Sequence, residues 1–541
     1  MQKTDWFKKA IVYSLDVRSF KDGNRDGWGD INGLLSKFDY LSQLGVDCIW
    51  IAPFYHSHER DDGYDVIDYY HIDPSLGSME DFELLVEEAK RKDIKIILDL
   101  VVNHTSIDHP WFKKAIEQPD SMYYDYYIWT KQKPENDRDD VMFDTVEASN
   151  WEYEPAVSAY FYHTFYRHQP DLNLTNPRVQ AEILRIIDFW MEKGIDGFRI
   201  DAAPHILRDK GDARHEGDPY DLLDVWRNEV LRHNEDAILI GEADIEPEKY
   251  PEFLNGRLTA LFNFYINNYI FLSLATQQAT PLSNALHHLP LTEGEHYFTF
   301  LRNHDELDLS RLSDDERGQV LDRFAPEPTM RIYNRGIRRR LAPILSNNHR
   351  QMKLALSLLF SLPGTPVIRY GEEIGMGDDL NLPERRSVRT AMQWSDQPNA
   401  GFSDVVPQAL KYPLIRVGPF AYEHVNVEAQ EADPSSHLNT TKALVNLRKE
   451  KGDMFSGGEF MILDSPQETV LAYGYKQADQ WLVIFHNFSE SISKVKMKLP
   501  VKSDARIIPL AHAADATLSN GHISLSLAAY GFSWFIIKNN T

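Results

Sequence analysis

Gly194-Ile195-Asp196-Gly197-Phe198-Arg199-Ile200-Asp201 is the stretch that decides the fold. Phe198 and Ile200 alternate with Arg199 and Asp201, the period-2 pattern of a strand with one apolar and one charged face. Arg199 and Asp201, two apart, therefore point the same way. The apolar run Ala181 to Met191 just before it reads as a helix. A strand that follows a helix and ends in charge suits a parallel barrel, whose chemistry lies at the C-terminal strand ends. A plain salt bridge fits this octapeptide equally well, so the other strand ends have to decide.

Upstream, Ala10 to Val17, Asp47 to Ala52 and Ile94 to Val102 read as strands, with helices over Gly33 to Leu44 and Met79 to Lys92. That alternation means parallel strands with crossover helices. Downstream, Ala237 to Gly241 ends in Glu242, Phe298 to Arg302 runs into Asn303-His304-Asp305-Glu306, and Thr365 to Tyr370 is the last strand. Three strand ends thus carry Asp201, Glu242 and Asp305. Brought together in a barrel they repel, unless a substrate or a raised pKa separates their roles. Between 103 and 173 the rhythm stops, which marks an inserted segment. From about Gly452 short alternating runs such as Val470 to Tyr475 and Trp481 to Asn487 indicate a small β-sandwich. The predicted architecture is a (β/α)8 TIM barrel over 1–102 and 174–450, an inserted domain B over 103–173 and a C-terminal β-sandwich domain over 451–541.

With 57 basic and 82 acidic residues the net charge is −25, which repels nucleic acids and anionic membranes and leaves neutral or cationic partners. The single cysteine, Cys48, excludes an intrachain disulfide and reads as a small buried side chain. No segment approaches a membrane span or a signal peptide, so a cytoplasmic location is expected.

The loop Asp22-Gly23-Asn24-Arg25-Asp26-Gly27-Trp28-Gly29-Asp30 offers side-chain oxygens at Asp22, Asn24, Asp26 and Asp30 and the Trp28 carbonyl between them. Hard oxygen donors on a glycine-rich turn suit calcium, although an Asp- and Gly-rich polar turn would look the same. No organic cofactor is expected.

Asp99-Leu-Val-Val-Asn-His104, Gly197-Phe-Arg-Ile-Asp-Ala202, Gly241-Glu-Ala243 and Phe300-Leu-Arg-Asn-His-Asp-Glu306, in this order, resemble the four signatures of glycoside hydrolase family 13, the α-amylase superfamily. Gln169-Pro-Asp-Leu-Asn173 resembles the marker of its oligo-1,6-glucosidase-like branch. Within that branch Gly336 to Leu345, Glu372 to Asp378, Arg389 to Trp394, Asn399 to Ser403 and Val425 to Gln430 resemble the trehalose synthases, which isomerise maltose.

The resemblance implies double displacement on a small α-glucoside, with Asp201 as nucleophile, Glu242 as acid/base and Asp305 as the third carboxylate gripping sugar hydroxyls. It implies that Arg199 keeps Asp201 ionised and that His104 and His304 hold the same sugar. Asp61, Tyr64 and Arg389 match the residues that close the far end of the first subsite, and Arg167 with Glu306 resembles the gate pair of trehalose synthases. Asn103, Asp171 and the carbonyl of His205 match a second calcium site, yet Arg208 stands where trehalose synthases carry a glutamate, and a guanidinium there disfavours a cation. His205 to His215 and Leu254 to Gln278 depart from the trehalose synthase pattern, so the resemblance implies the catalytic residues more firmly than the acceptor. Isomerisation of maltose to trehalose is the first expectation, hydrolysis or transfer on another small α-glucoside the second, and a non-catalytic sugar-binding relative the third.

Overall fold

In the computed structural model, which describes residues 5–135, 137–138, 141–291, 296–512 and 515–539, eight parallel strands close a barrel in sequential order. They are β1 (Val12–Leu15), β2 (Cys48–Ile51), β3 (Lys95–Leu100), β4 (Gly197–Ile200), β5 (Ile238–Gly241), β6 (Ala260–Phe262), β7 (Tyr297–Phe300) and β8 (Thr365–Arg369). The barrel is therefore the architecture expected, with one strand, β6, that periodicity did not reveal. Val12, Cys48, Trp50, Ile97, Ile240, Phe262, Phe298 and Val367 fill its interior as one apolar cluster, so it is a packed core and not a pore. Cys48 is a buried free thiol within it, as read from the sequence.

Helices α1 (Met79–Arg91), α2 (Pro177–Glu192), α3 (Phe264–Thr276), α4 (Thr280–His288), α5 (Asp314–Phe324) and α6 (His349–Ser361) belong to the outer layer. Local chemistry starts them. Ser78 and Asp81 form a capping box on α1, and Asn176 with Pro177 opens α2. α2 buries Val179, Ile183, Ile186, Ile187 and Trp190, then hands the chain to β4. There Gly197 (φ +148°) lets β4 approach β5, where a Cβ would lie 1.9 Å from the Ile238 carbonyl oxygen.

The segment between β3 and α2 carries a three-stranded antiparallel sheet with Ala159–Tyr162 at its centre, flanked by Trp129–Thr130 and Trp151–Glu154. After the barrel come β9 (Glu459–Leu463), β10 (Val470–Gln477), β11 (Gln480–Asn487), β12 (Ser493–Lys498), β13 (Arg506–Ala511), β14 (Thr517–Ser519), β15 (His522–Leu527) and β16 (Phe532–Lys538). They form two antiparallel sheets, β9-β10-β11-β16-β13 and β12-β15-β14, packed around Val483, Phe485, Val495, Ile523 and Ile537. No described helix is long and apolar enough to cross a membrane.

Candidate active site

The C-terminal ends of the strands converge on Arg199. Its Nη1 donates to Asp99 Oδ1 at 2.5 Å and to Asp201 Oδ1 at 2.6 Å, and its Nη2 lies 2.7 Å from Glu242 Oε1. Arg199 and Asp201 share a strand face, as their spacing required. Ala202, immediately after, adopts left-handed backbone (φ +50°), uncommon for a residue with a side chain. That turn sends the Ala202 N–H to Glu242 Oε2 at 2.9 Å, so the ends of β4 and β5 are locked together at the two carboxylates.

One guanidinium cannot neutralise three buried carboxylates, and their proton affinities rise. Burial, only partly opposed by Arg199, pushes Asp201 up to about 6 and Asp99 likewise to about 6. Burial and the neighbouring charges of Asp201 and Asp305 push Glu242 to about 7. Arg199 thus moderates the rise at Asp201, which still lies above an ordinary carboxylate value. Asp305 behaves oppositely. Burial works against its charge, but the contact with His304 Nε2 at 3.0 Å and the charges of Arg385 and Arg389 more than reverse this and hold it well below the usual range. The pair and the third carboxylate are therefore electrostatically distinct.

The far end of the pocket is built by two arginines. Arg385 donates from Nη1 to Asp305 Oδ1 and from Nη2 to Asp61 Oδ1, both at 2.7 Å. Arg389 donates to Asp305 Oδ1 at 2.8 Å and to Asp62 Oδ2 at 2.6 Å, and stands 4.0 Å from Asp61. Asp61, Tyr64 and Arg389 come together around this end, but the direct partner of Asp61 is Arg385, which sequence reasoning missed. The signal was present in Glu384-Arg385-Arg386, where three adjacent charges gave no way to choose the inward one. Tyr64 stacks on His304 with ring centroids 5.4 Å apart at 12°, and its hydroxyl lies 2.7 Å from His304 Nε2. Burial lowers His304 to about 4, so its ring is neutral at pH 7. His104 reaches the Tyr64 carbonyl at 3.2 Å and is likewise lowered by burial.

These groups line an inner chamber of about 70 Å³ that contains Asp61, Tyr64, His104, Asp201, Glu242 and Asp305. It opens into an outer chamber of about 460 Å³ with Asp244, Glu306, Asp308 and Arg335 in its wall. Glu242, Asp305 and Arg385 line both, so Glu242 stands between the two chambers. Phe143 of the inserted segment roofs them, stacked on Tyr333 at 4.5 Å and beneath Arg385 at 5.1 Å.

Two expected arrangements differ. Arg167 and Glu306 do not pair. Arg167, with its side chain 57% exposed, binds Glu147 Oε2 at 3.1 Å, while Glu306 sits buried, 3.6 Å from Arg335, with Oε2 unpartnered. Glu147 is simply the nearer carboxylate, on the same inserted segment as Arg167. At the second calcium site the cation is Lys210. Its Nζ lies 2.6 Å from Asn103 Oδ1 and 2.6 Å from Asp171 Oδ2, and Thr164 donates to Asp171 through both N and Oγ1. Arg208, expected to repel a cation there, instead donates to the Tyr162 hydroxyl at 3.1 Å. The His205 ring lines the outer chamber.

In the loop Asp22 to Asp30, Asp30 accepts the N–H groups of Gly23, Asn24 and Gly33, and Asp22 those of Arg25 and Gly27. Asn24 accepts from Asp26 N–H and Asp26 from Trp28 N–H. Asp22 and Asp30 are each 2% exposed and no lysine or arginine pairs with either among the described residues, so their charge suits a cation. Among the described residues the carboxylates of Asp22, Asp26 and Asp30 do not all come within 4.8 Å of one another.

Comparison with known proteins agrees with this geometry. The α-amylase catalytic domain family matches residues 15–325 and 332–458. The chain is 37% identical to the trehalose synthase/amylase TreS of Mycolicibacterium smegmatis, over 99% of this chain and 93% of that protein. It is 38% identical to the trehalose synthase of Thermus thermophilus over 98% of its own length, and spans 56% of that longer protein. The crystal structure of a MutB mutant in complex with sucrose is similar at a TM-score of 0.78 and 26% identity, over 99% of this chain and 100% of that chain. The chain belongs to the α-amylase family, glycoside hydrolase family 13, and is an enzyme that acts on α-glucosides by transferring or hydrolysing glucosyl groups.

Proposed function

We propose that the enzyme is a retaining α-glucosyl transferase that isomerises maltose to trehalose, with hydrolysis as a side reaction. The observation that carries this reading is the placement of Asp201 and Glu242 on the two nitrogens of one guanidinium, with Glu242 at the junction of a small inner chamber and a larger outer one. Retention needs two carboxyls about 5 to 5.5 Å apart, and a shared arginine keeps such a pair close. The terminal glucose reaches into the inner chamber and the second sugar lies in the outer one. Asp201 attacks the anomeric carbon as Glu242 gives its proton to the departing oxygen, leaving a glucosyl ester. Glu242 then takes a proton from the acceptor hydroxyl, which attacks the ester and releases Asp201. Asp305, held ionised by Arg385 and Arg389, grips the sugar hydroxyls and favours the distorted ring.

Incubating purified enzyme with maltose alone and separating the products tests the reading. Trehalose is expected. Glucose as the sole product sinks the isomerase assignment and leaves a hydrolytic α-glucosidase, a second reading favoured by Arg167 turning to Glu147 and away from Glu306. An open gate admits water to the ester.

Calcium in the loop Asp22 to Asp30 belongs to the same proposal, as a structural ion held by Asp22, Asn24, Asp26, Asp30 and the Trp28 carbonyl. Chelation by EDTA is expected to lower the melting temperature, and calcium, not magnesium, to restore it. A melting curve indifferent to both removes the ion from the account.

A further inference from the structure

Tyr265 and Tyr269 stand one turn apart on α3, whose other side chains are mostly buried. Both are half-buried, with ring centroids 4.9 Å apart at 59°. They form one wall of a groove of about 600 Å³ outside the catalytic chambers, between α3, α4, α5 and the C-terminal domain. The far wall is tied in place where Ala279 N–H donates to the Glu468 carbonyl at 2.7 Å. Tyr265 directly follows Phe264, which lines the outer chamber, so the groove begins one residue from the acceptor site.

The remaining lining is mostly polar, with Thr276, Thr280 and His288 standing beside amides and carboxylates. Gln278, Asn284 and Gln319 offer side-chain amides, and Gln278 Oε1 is buried with no donor. Glu316 and Glu468 add acceptors that repel anions, and neither lysine nor arginine lines the groove. Aromatic faces take the apolar C–H faces of a sugar ring, and neutral amides take its hydroxyls. A groove of this volume holds a few linked hexoses.

We propose that this groove is a non-catalytic binding site for a neutral oligosaccharide, an α-glucan segment of several residues. The choice of α-linked glucose rests on the catalytic reading above, whereas the saccharide site itself does not.

Native electrophoresis through gels containing glycogen tests it. Wild-type enzyme is expected to be retarded, and Tyr265→Ala/Tyr269→Ala to lose about tenfold of that affinity with the aromatic faces gone. Turnover of p-nitrophenyl α-glucoside should stay unchanged, and Tyr265→Phe/Tyr269→Phe, which keeps the rings, should stay retarded. Deoxynojirimycin, which fills the catalytic pocket, should leave the retardation intact. The proposal is overturned by unretarded wild type, by equal retardation of wild type and the alanine variant, or by retardation that the inhibitor abolishes. If p-nitrophenyl α-glucoside is not turned over while retardation persists, the catalytic reading fails and this site stands.

Discussion

Arg199 is the residue on which the chemistry turns, because three carboxylates share its single charge. The division of labour follows from neighbouring charges added to the starting difference between Asp and Glu, burial raising Asp201 to about 6 and Glu242 to about 7. Asp201 must be ionised to attack, so kcat/KM should rise as pH climbs through about 6. Glu242 must be protonated to start, so the rate should fall above about 7, giving a narrow bell whose two limbs belong to the coupled pair. A pH profile flat from 5 to 9 would contradict this, since it would leave no group titrating where the buried pair does. Replacing Glu242 by Gln keeps shape but removes the proton. On maltose kcat/KM should fall about 10²- to 10⁴-fold, and much less in the first step on p-nitrophenyl α-glucoside, whose leaving group needs no acid. Burst kinetics separate that step from ester breakdown, and equal losses on both substrates would strip Glu242 of the acid role.

Among the elements, the inserted segment is fastened at its root by a buried charge. Lys210, on the loop after β4, reaches Asn103 at the end of β3 and Asp171 at the segment's return, so three chain segments meet at one ammonium. Lys210→Met leaves Asp171 buried and unpaired, at a cost of about 3 to 5 kcal/mol. A fall in melting temperature and faster proteolysis between 103 and 173 should follow, and an unchanged melting curve would show the contact to be ornamental. This element also marks what a sequence can disclose. β4, β5 and β7 were legible because short apolar runs end abruptly in charge. β6 was not, since Ala260–Phe262 is three residues long and runs directly into the apolar helix Phe264–Thr276, so no period changes at the boundary. Asp201, Glu242 and Asp305 could be named because strand ends must converge. The partners Arg385 and Lys210 could not, because each lies on a loop whose direction is set by tertiary packing. In the C-terminal domain β10, β11, β12 and β16 showed alternation, while β9, β13 and β14 are short or half-exposed and did not stand out, and β15 was missed although Ile523, Leu525 and Leu527 alternate with polar residues.

At the scale of the whole molecule, the C-terminal domain has two different faces. Val483, Phe485, Phe535 and Ile537 face its own small core, whereas Leu482, Ile484, Trp534 and Ile536, the alternate residues of the same strands, join the large core continuous with the barrel. The junction is also specified by polar groups. Ser357 on α6 meets His486 Nε2 at 2.8 Å and accepts from Trp534 Nε1 at 2.9 Å, and Ser361 accepts the phenol of Tyr475 at its carbonyl. Burying such groups without partners is costly, so separation of the domains would expose apolar surface and strand these hydrogen bonds together. The two units should therefore unfold as one, and calorimetry is expected to give a single transition. A chain ending at residue 458 should express as aggregate, because α6 would present the face that Trp534 covers. Ser357→Ala tests the polar part alone. It leaves the His486 and Trp534 nitrogens without their shared partner, which should lower stability by about 1 to 3 kcal/mol while kcat/KM stays as it was. Two resolved transitions, or a soluble active barrel lacking residues 459–541, would mean that the shared core adds shape without cooperativity.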